Sequence, residues 1–343
     1  MRPIKIALDA MGGDHGMDSV VPGAVGAVSN HPGIELILVG DEPALASRLA
    51  KVPADLRARL SIKHATQVVA MDEPAADALR RKKDSSMRVA IDLVKEGHAQ
   101  AAVSAGNTGA LMATAKFVLK TLPGIDRPAL CSAIPSIGGH THMLDLGANA
   151  DCSAEQLYQF AVMGSVLASA VYGIDRPTIG LLNIGSEEIK GNDVVRAAAQ
   201  MIQSAGTFNY IGFVEGNDIF SDRVDVVVAD GFASNVALKT AEGLAKMVAR
   251  FLREEFERNL YTKLAALVSL PVMKSAGKRL DPRRYNGASL LGLNGIVIKS
   301  HGSADELAFA HAIKIAMLEV EKQVPARIAT QLGQQLGKAA GDA

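Results

Sequence analysis

The chain has 343 residues, 48% of them hydrophobic, with 36 Lys plus Arg against 36 Asp plus Glu. That length permits one large α/β unit or two lobes, and the charge balance leaves no basic field for nucleic acid and no acidic tail. The apolar runs are too short and too often interrupted to span a bilayer, no targeting segment is visible, and Cys131 and Cys152 read as reduced thiols rather than a disulfide.

Short β-branched runs alternate with stretches rich in Ala, Leu and Glu. Strands are expected at 3–8, 34–39, 60–64, 99–104, 129–134, 141–146, 177–184, 208–213, 224–229 and 295–299. Helices are expected near 18–29, 42–51, 73–82, 85–97, 108–120, 154–172, 192–204, 235–260 and 303–323. The rhythm predicts an α/β fold with a mostly parallel, doubly covered sheet. Gly138-Gly139 between two apolar runs, and a similar cadence around Asn294-Gly295, add some antiparallel strands. The organisation expected is one α/β unit over 1–323, undivided or in two intimate lobes, with a helical projection at about 250–285 and a polar tail over 324–343 that frays beyond a short helix.

Six loops rich in Gly, Asn and Ser, most of them directly after an apolar run, carry the candidate chemistry. They are DAMGGDHG (9–16), SAGNTGA (104–110), LDLGAN (144–149), NIGSEEIKGN (183–192), ADGFASN (229–235) and KSHGSAD (299–305). Glycine lets a backbone turn tightly and bring bare N–H groups up to an anion, and a helix starting just beyond adds its positive dipole end. Loops at strand C-termini hold the ligands of open α/β sheets, so a small phosphate site is expected. No two glycines stand two apart and no GxxxxGK[ST] occurs, which removes the common dinucleotide and P-loop fingerprints.

Lys190 is either a point charge for phosphate or a solvated helix start, and Lys239 poses the same choice. Lys299, Ser104, Gly106, Asn183, Gly185 and Ser186 complete the phosphate-binding candidates. Asn107, Asn192 and Asn235 can donate amide hydrogen bonds to an oxyanion, although Asn235 is equally suited to cap the following helix. His301, between Lys299 and a helix start, has the best setting for proton transfer, and His15 beside Gly16 has no obvious core to join. Asp9 and Asp14 flank a glycine turn, where an Asp bonds its own backbone or a ligand. His140 and His142 share a strand face without a third ligand of convincing spacing, so a structural role is expected of them. Acyl transfer to phosphate would need little more than such loops, because phosphate is already a nucleophile and a thioester has a good leaving group.

From residue 250 to 284 the composition changes to an apolar tip, with Leu267 and Leu270, surrounded by Lys263, Lys274, Lys278, Arg279, Arg283 and Arg284. This suits an anionic membrane or an acidic carrier protein on one face, and a dimer-interface helix pair on another. The run Arg80, Arg81, Lys82 and Lys83 is a solvated face or a second contact for an acidic partner, and Ser85 or Ser86 is placed to cap the next helix.

With those residues in view, the chain resembles the PlsX family of bacterial phosphate acyltransferases from about Lys5 to Val320. The segments that carry the resemblance are ALDAMGGDHG, RRKKDSSM, SAGNTGA, LDLGAN, LLNIGSEEIKGN, FVEGNDIF, DGFASNVALKT and YNGASLLGLNGIVIKSHGSAD. One position departs from it: Ser234 stands where the family more usually has glycine, and its side chain narrows the anion cradle or adds a hydroxyl. The resemblance implies that inorganic phosphate attacks the thioester of a fatty acyl chain on acyl carrier protein. The acyl phosphate would then pass to a glycerol-3-phosphate acyltransferase in glycerolipid synthesis. It also implies a cytoplasmic homodimer in peripheral contact with the membrane, a fold akin to isocitrate dehydrogenases and phosphate acetyltransferases, and no metal or organic cofactor. Two other readings stand beside it. One is an isocitrate-type hydroxy-acid dehydrogenase with Asp225 and Asp230 on a divalent ion; the other is a non-catalytic scaffold for carrier and membrane.

Overall fold

The computed structural model describes residues 3–341. Its strands are β1 (Ile4–Asp9), β2 (Ile34–Gly40), β3 (Leu60–His64), β4 (Ala101–Ser104), β5 (Ala129–Ser136), β6 (Gly139–Leu144), β7 (Thr178–Leu182), β8 (Asn209–Val214), β9 (Val226–Val228), β10 (Ala288–Leu291) and β11 (Ile296–Lys299). The helices are α1 (Met17–Asn30), α2 (Glu42–Leu49), α3 (Ala54–Arg57), α4 (Ala75–Arg81), α5 (Ser86–Lys95), α6 (Thr108–Leu119), α7 (Ala154–Tyr172), α8 (Asp193–Ala205), α9 (Gly231–Glu257), α10 (Leu260–Arg279), α11 (Glu306–Lys322) and α12 (Val324–Gly341). One 11-stranded sheet runs through the molecule in the order β3-β2-β1-β4-β11-β10-β5-β6-β9-β7-β8.

Parallel pairing joins β1, β2, β3, β4 and β11 on one side, and β6, β9, β7 and β8 on the other. Between these halves the pairings β11–β10, β10–β5 and β5–β6 are all antiparallel. Three reversals in succession turn the second half over, so the C-terminal ends of its strands point opposite to those of the first.

Three clusters of apolar side chains bury the sheet. Ile6, Leu8, Leu36 and Ile298 pack under α1 and α11, while Ala102, Leu130, Met143 and Val227 pack under α5, α6 and the start of α9. Leu144, Ile179, Val226 and Val228 pack under α7, α8 and α12. Local chemistry sets the helix starts. Ser85 accepts from the Arg88 amide at 3.3 Å to open α5, and Ser153 with Gln156 forms a capping box on α7.

Several expectations need correction. The helix expected from 235 begins at Gly231, because Asp230 is its cap and accepts from the Ala233 amide at 2.7 Å. The stretch at about 250–285 takes in the end of α9 and all of α10, and Leu267 and Leu270 on it are exposed. The polar tail expected over 324–343 is instead helix α12 as far as Gly341, and its Val324, Ile328 and Leu332 are buried against the α7 side of the core. Spacing of four residues puts all three on one helix face. The short helix α3 was also absent from the expected elements, while the antiparallel cadence expected around Asn294-Gly295 is the pairing of β10 with β11.

One buried acid gives the fold a pH signature. Glu319 of α11 is buried and accepts from the Ser289 hydroxyl on β10; loss of water raises its pKa from 4.5 to about 7, against the lowering effect of that hydrogen bond. The folded state therefore keeps a proton that the unfolded state sheds, so this contribution to stability is present below pH 4.5 and is lost as pH rises through about 7. Glu319→Gln should remove that slope, making the difference in unfolding free energy between wild type and variant change by on the order of 3 kcal/mol across the window. Urea titrations at several pH values would show it, and parallel curves for the two proteins would refute it.

Candidate active site

Strands β1, β4 and β11 are neighbours, and the loops that follow them meet. Asp9 ends β1 and its carboxylate is fully engaged: Oδ1 accepts from the Met11 and Gly12 amides at 3.3 and 3.1 Å, and Oδ2 accepts from the Ser104 hydroxyl at 2.6 Å. The same Ser104 hydroxyl accepts from the Gly106 amide at 3.0 Å. A Cβ added to Gly12 would lie 2.9 Å from the Gly106 nitrogen, and one on Gly13 would lie 2.9 Å from the Gly302 carbonyl oxygen. Glycine is required at both because the turns touch backbone to backbone. The Asp14 amide closes the group by donating to Gly302 O at 2.8 Å.

Lys299 ends β11 inside this group. Its Nζ is buried and donates to Ala105 O at 3.3 Å and to Ser300 O. Burial lowers its pKa to about 8, while the negative charges of Asp9 and Asp14 resist the fall. Lys299 also lines a narrow pocket together with Thr108, Leu111, Met112, Leu130, Ala148 and Leu290. Thr108 is the first residue of α6, whose N-terminal amides and dipole bring further positive character to the same place. His301 and His15 are exposed nearby; His301 donates its backbone N–H to Asn286 Oδ1 at 2.8 Å, and its Nδ1 meets the Ser303 hydroxyl at 2.9 Å.

The loops after β6, β9 and β7 form a second group. Asp145 is buried and accepts from the Leu130, Ala148 and Asn149 amides at 2.8, 3.2 and 2.5 Å, and from Asn149 Nδ2 at 2.9 Å. Burial outweighs those four donors and raises its pKa. The loop it holds presents Gly147 to Asn235, whose side chain would lie 3.4 Å from a Cβ at Gly147. Ala148 of that loop lines the Lys299 pocket, so the two groups meet there although their strands run in opposite directions.

Several candidates have different roles from those expected. Asn107 is not free to meet an oxyanion: Oδ1 caps α6 through the Ala110 amide at 3.0 Å, and Nδ2 donates to Met71 O and Glu73 O at 2.8 and 3.1 Å. Ser104 is buried with its hydroxyl spent on Asp9 and Gly106, so it shapes the turn instead of touching phosphate. Asn183 donates to Lys190 O at 3.1 Å within its own loop, and Asn192 caps α8 through the Val195 amide at 2.9 Å. Asn235 lies inside α9 and does not cap it. Lys190, Ser186 and Lys239 are exposed, Gly185 is buried under Lys190, and Ser234 is buried with its hydroxyl unpartnered. Lys82 of the basic run pairs with Glu73 at 2.8 Å, whereas Arg80, Arg81 and Lys83 are exposed. On the projection Lys274, Lys278 and Arg279 are likewise exposed. Thr108 and Ala148, which line the Lys299 pocket, and Asp145, which holds the loop beside it, were not among the expected candidates, though each sits in a loop singled out for its composition.

His140 and His142 pack against Tyr172 with ring centroids 4.7 and 4.2 Å away, and burial lowers the pKa of His142 to about 3. Among the described residues no group of three or more His, Cys, Asp or Glu side chains could hold a metal ion. Asp225 and Asp230 flank β9 at opposite ends; the former accepts from Thr178 N and Oγ1 at 2.8 and 2.7 Å, and the latter caps α9. They do not form the acidic pair that a dehydrogenase of the isocitrate type would need.

An 11-stranded α/β sheet of this order has the fold of the phosphotransacetylases. Phosphotransacetylase from Streptococcus pyogenes superposes with a TM-score of 0.63 at 19% identity, covering 93% of this chain and 94% of that one. EutD phosphotransacetylase from Staphylococcus aureus gives 0.59 at 16% identity, covering 94% of each chain. In sequence, the profile of the family described as "Fatty acid synthesis protein" matches residues 4–327. The phosphate acyltransferase of Methylococcus capsulatus (strain ATCC 33009 / NCIMB 11132 / Bath) is 60% identical over 327 residues, 95% of this chain and 96% of that protein. The chain therefore belongs to the PlsX family of phosphate acyltransferases and is an acyl-transferring enzyme.

The backbone contact at Gly12 offers a direct test. Gly12→Ala must push the turns after β1 and β4 apart, and a displacement of about 1 Å at a site of this kind costs on the order of 100-fold in turnover. Acyltransferase activity should fall by that order while circular dichroism is preserved; full activity would mean that the two turns do not frame the reaction.

Proposed function

We propose that this enzyme moves a fatty acyl group from acyl carrier protein to inorganic phosphate, supplying acyl phosphate for glycerolipid synthesis. The observation that carries the reading is Lys299. An ammonium has three N–H donors; two of them meet carbonyl oxygens, and the side chain borders a pocket at the N-terminus of α6. One donor remains for an anion, in a setting where water is scarce and charge interactions are strong. Apolar Leu111, Met112, Leu130 and Leu290 line the same pocket and suit the first carbons of an acyl chain.

On this reading an oxygen of HPO4²⁻ attacks the thioester carbonyl, the C–O bond forms, and the carbonyl oxygen takes the negative charge. The C–S bond then breaks, and the proton carried by phosphate leaves with the thiol. Lys299 and the first amides of α6 hold the phosphate oxygens, Asn235 offers an amide to the oxyanion, and His301 or His15 relays the proton. No side chain need be acylated. The exposed cations Arg80, Arg81, Lys83, Lys274, Lys278 and Arg279 suit an acidic carrier, and exposed Leu267 and Leu270 on the projection suit a membrane surface or a second subunit. No helix among the described residues is long and apolar enough to cross a membrane.

Acylated carrier plus the enzyme should release free thiol only when phosphate is present, and should leave NAD and NADP unchanged. Thiol release without phosphate, or nicotinamide reduction, would reject the reading. The pH profile tests Lys299 itself. Because its ammonium titrates near pH 8 and only the charged form holds phosphate, kcat/KM should decline above about pH 8. Lys299→Met should lower it by at least about 100-fold at pH 7. Lys299→Arg should move the alkaline limb upward whatever activity survives; an unmoved limb would take Lys299 out of the site.

A further inference from the structure

The loops of the second group carry large apolar side chains in water. Ile184 is 82% exposed and Ile189 83% exposed, and both lie in the β7–α8 loop that contains Lys190. Phe232 is 69% exposed and Val236 49% exposed; they stand four apart, on one face of the first turns of α9. Strands β7 and β9 are parallel neighbours, so these two loops leave the sheet side by side. Isolated exposed apolar residues need no explanation, but four on adjacent strand ends, in loops whose other residues are small or charged, Glu187 and Glu188 among them, form a patch of the kind that binds apolar ligands.

The patch is linked to the Lys299 pocket through the LDLGAN loop. Ala148 borders that pocket, its neighbour Gly147 packs against Asn235, and Asn235 lies between Phe232 and Val236 along α9. The pocket itself encloses only about 10 Å³, the space of about one water, so a long hydrocarbon does not fit within it. A long chain must leave it, and the apolar exit on the page leads across Gly147 to the first turns of α9. We infer that Ile184, Ile189, Phe232 and Val236 grip the distal part of the acyl chain and set the enzyme's preference for long chains. The inference rests on the acyl-transfer reading above. Glu187 and Glu188 between the two isoleucines, with Lys190 after them, keep the loop soluble when the chain is absent.

The test compares palmitoyl and butyryl thioesters of acyl carrier protein in the phosphate-dependent assay. Burying one isoleucine side chain against an apolar partner is worth about tenfold in affinity or more. The Ile184→Ser, Ile189→Ser double variant should therefore lose about tenfold or more in kcat/KM for palmitoyl, and stay within about twofold for butyryl. Phe232→Ser, on a different element, should shift the ratio in the same direction and carries the test if the double variant is unstable. Ile137→Ser, in the exposed β5–β6 turn at the opposite end of β6, should leave the ratio unchanged. An unchanged palmitoyl-to-butyryl ratio with both substrates still turned over would overturn the inference and leave the proposed function standing. Equal losses on both substrates, or subunit dissociation in sedimentation with the ratio intact, would overturn it too by showing a role in chemistry or assembly. Absence of phosphate-dependent thiol release in the wild type would remove both.

Discussion

Between β11 and β6 the sheet passes through three antiparallel pairings, and the position of the site follows from that reversal. In an open α/β sheet wound in one sense, all strand-end loops leave from one edge and the ligand sits there. Here half of the loops leave from the other edge. β4 and β11 in the first half and β10 between the halves have 4 residues each, roughly 13 Å of extended chain. A loop turning back from one edge, such as that holding Ala148, reaches the level of Lys299 across the face of β5 and β10. The pocket beside Lys299 thus lies on a sheet face between α6 and the LDLGAN loop, and the proposed reaction centre lies there and not on the rim that the loop pattern suggests.

Burying the Lys299 ammonium is costly, and the fold offsets the cost without neutralising the charge. Carbonyls of Ala105 and Ser300 take two of its protons, and Asp9 and Asp14 supply negative potential. Asp9 cannot swing over to form a closed ion pair, because the Ser104 hydroxyl and the amides of Met11 and Gly12 already hold both of its oxygens. A positive charge fixed before any ligand arrives needs no reorganisation when charge develops on a substrate, which is the condition under which such groups accelerate reactions most. Asp145 does comparable work for the second group: its bonds to Leu130, Ala148 and Asn149 fix a loop, and no part of it faces the reaction.

What could be read from the sequence depended on the range of the interactions involved. The β-branched runs of β1, β2, β7 and β11 and the helices after them are local signals, and the glycine loops announce themselves by composition. Strand β10, ASLL, has no β-branched residue and exists because Ser289 and Leu290 pair with Cys131 and Leu130, more than a hundred residues earlier. Helix α12 was masked by its glutamines and glycines, although Val324, Ile328 and Leu332 already showed helical spacing. Within the loops, composition could not distinguish a residue that meets the ligand from one that shapes the turn. Ser104 and Asn107 are satisfied by Asp9, Met71 and Glu73, partners that only the tertiary fold brings near. The same holds for Lys299, whose burial is a property of three strands together.

The two halves of the sheet bring unlike materials to the shared pocket, and acyl transfer to phosphate is a reaction that needs both. The half around β1, β4 and β11 contributes glycine turns, a helix N-terminus and a buried cation, all suited to a small polyanion. The half around β6, β7 and β9 contributes an apolar rim, with Asn235 beside Gly147. Phosphate must be held where its charge is balanced, while the acyl carbon must approach from a side that excludes water, since water would compete as nucleophile. A site in which both halves offered cations would hold phosphate well and leave the thioester solvated; one apolar on both sides would never desolvate the anion. The inverted sheet sets the proposed anion-binding edge against an apolar one. On the proposed reading, that juxtaposition does most of the catalysis by orientation and electrostatics, without an acylated side chain.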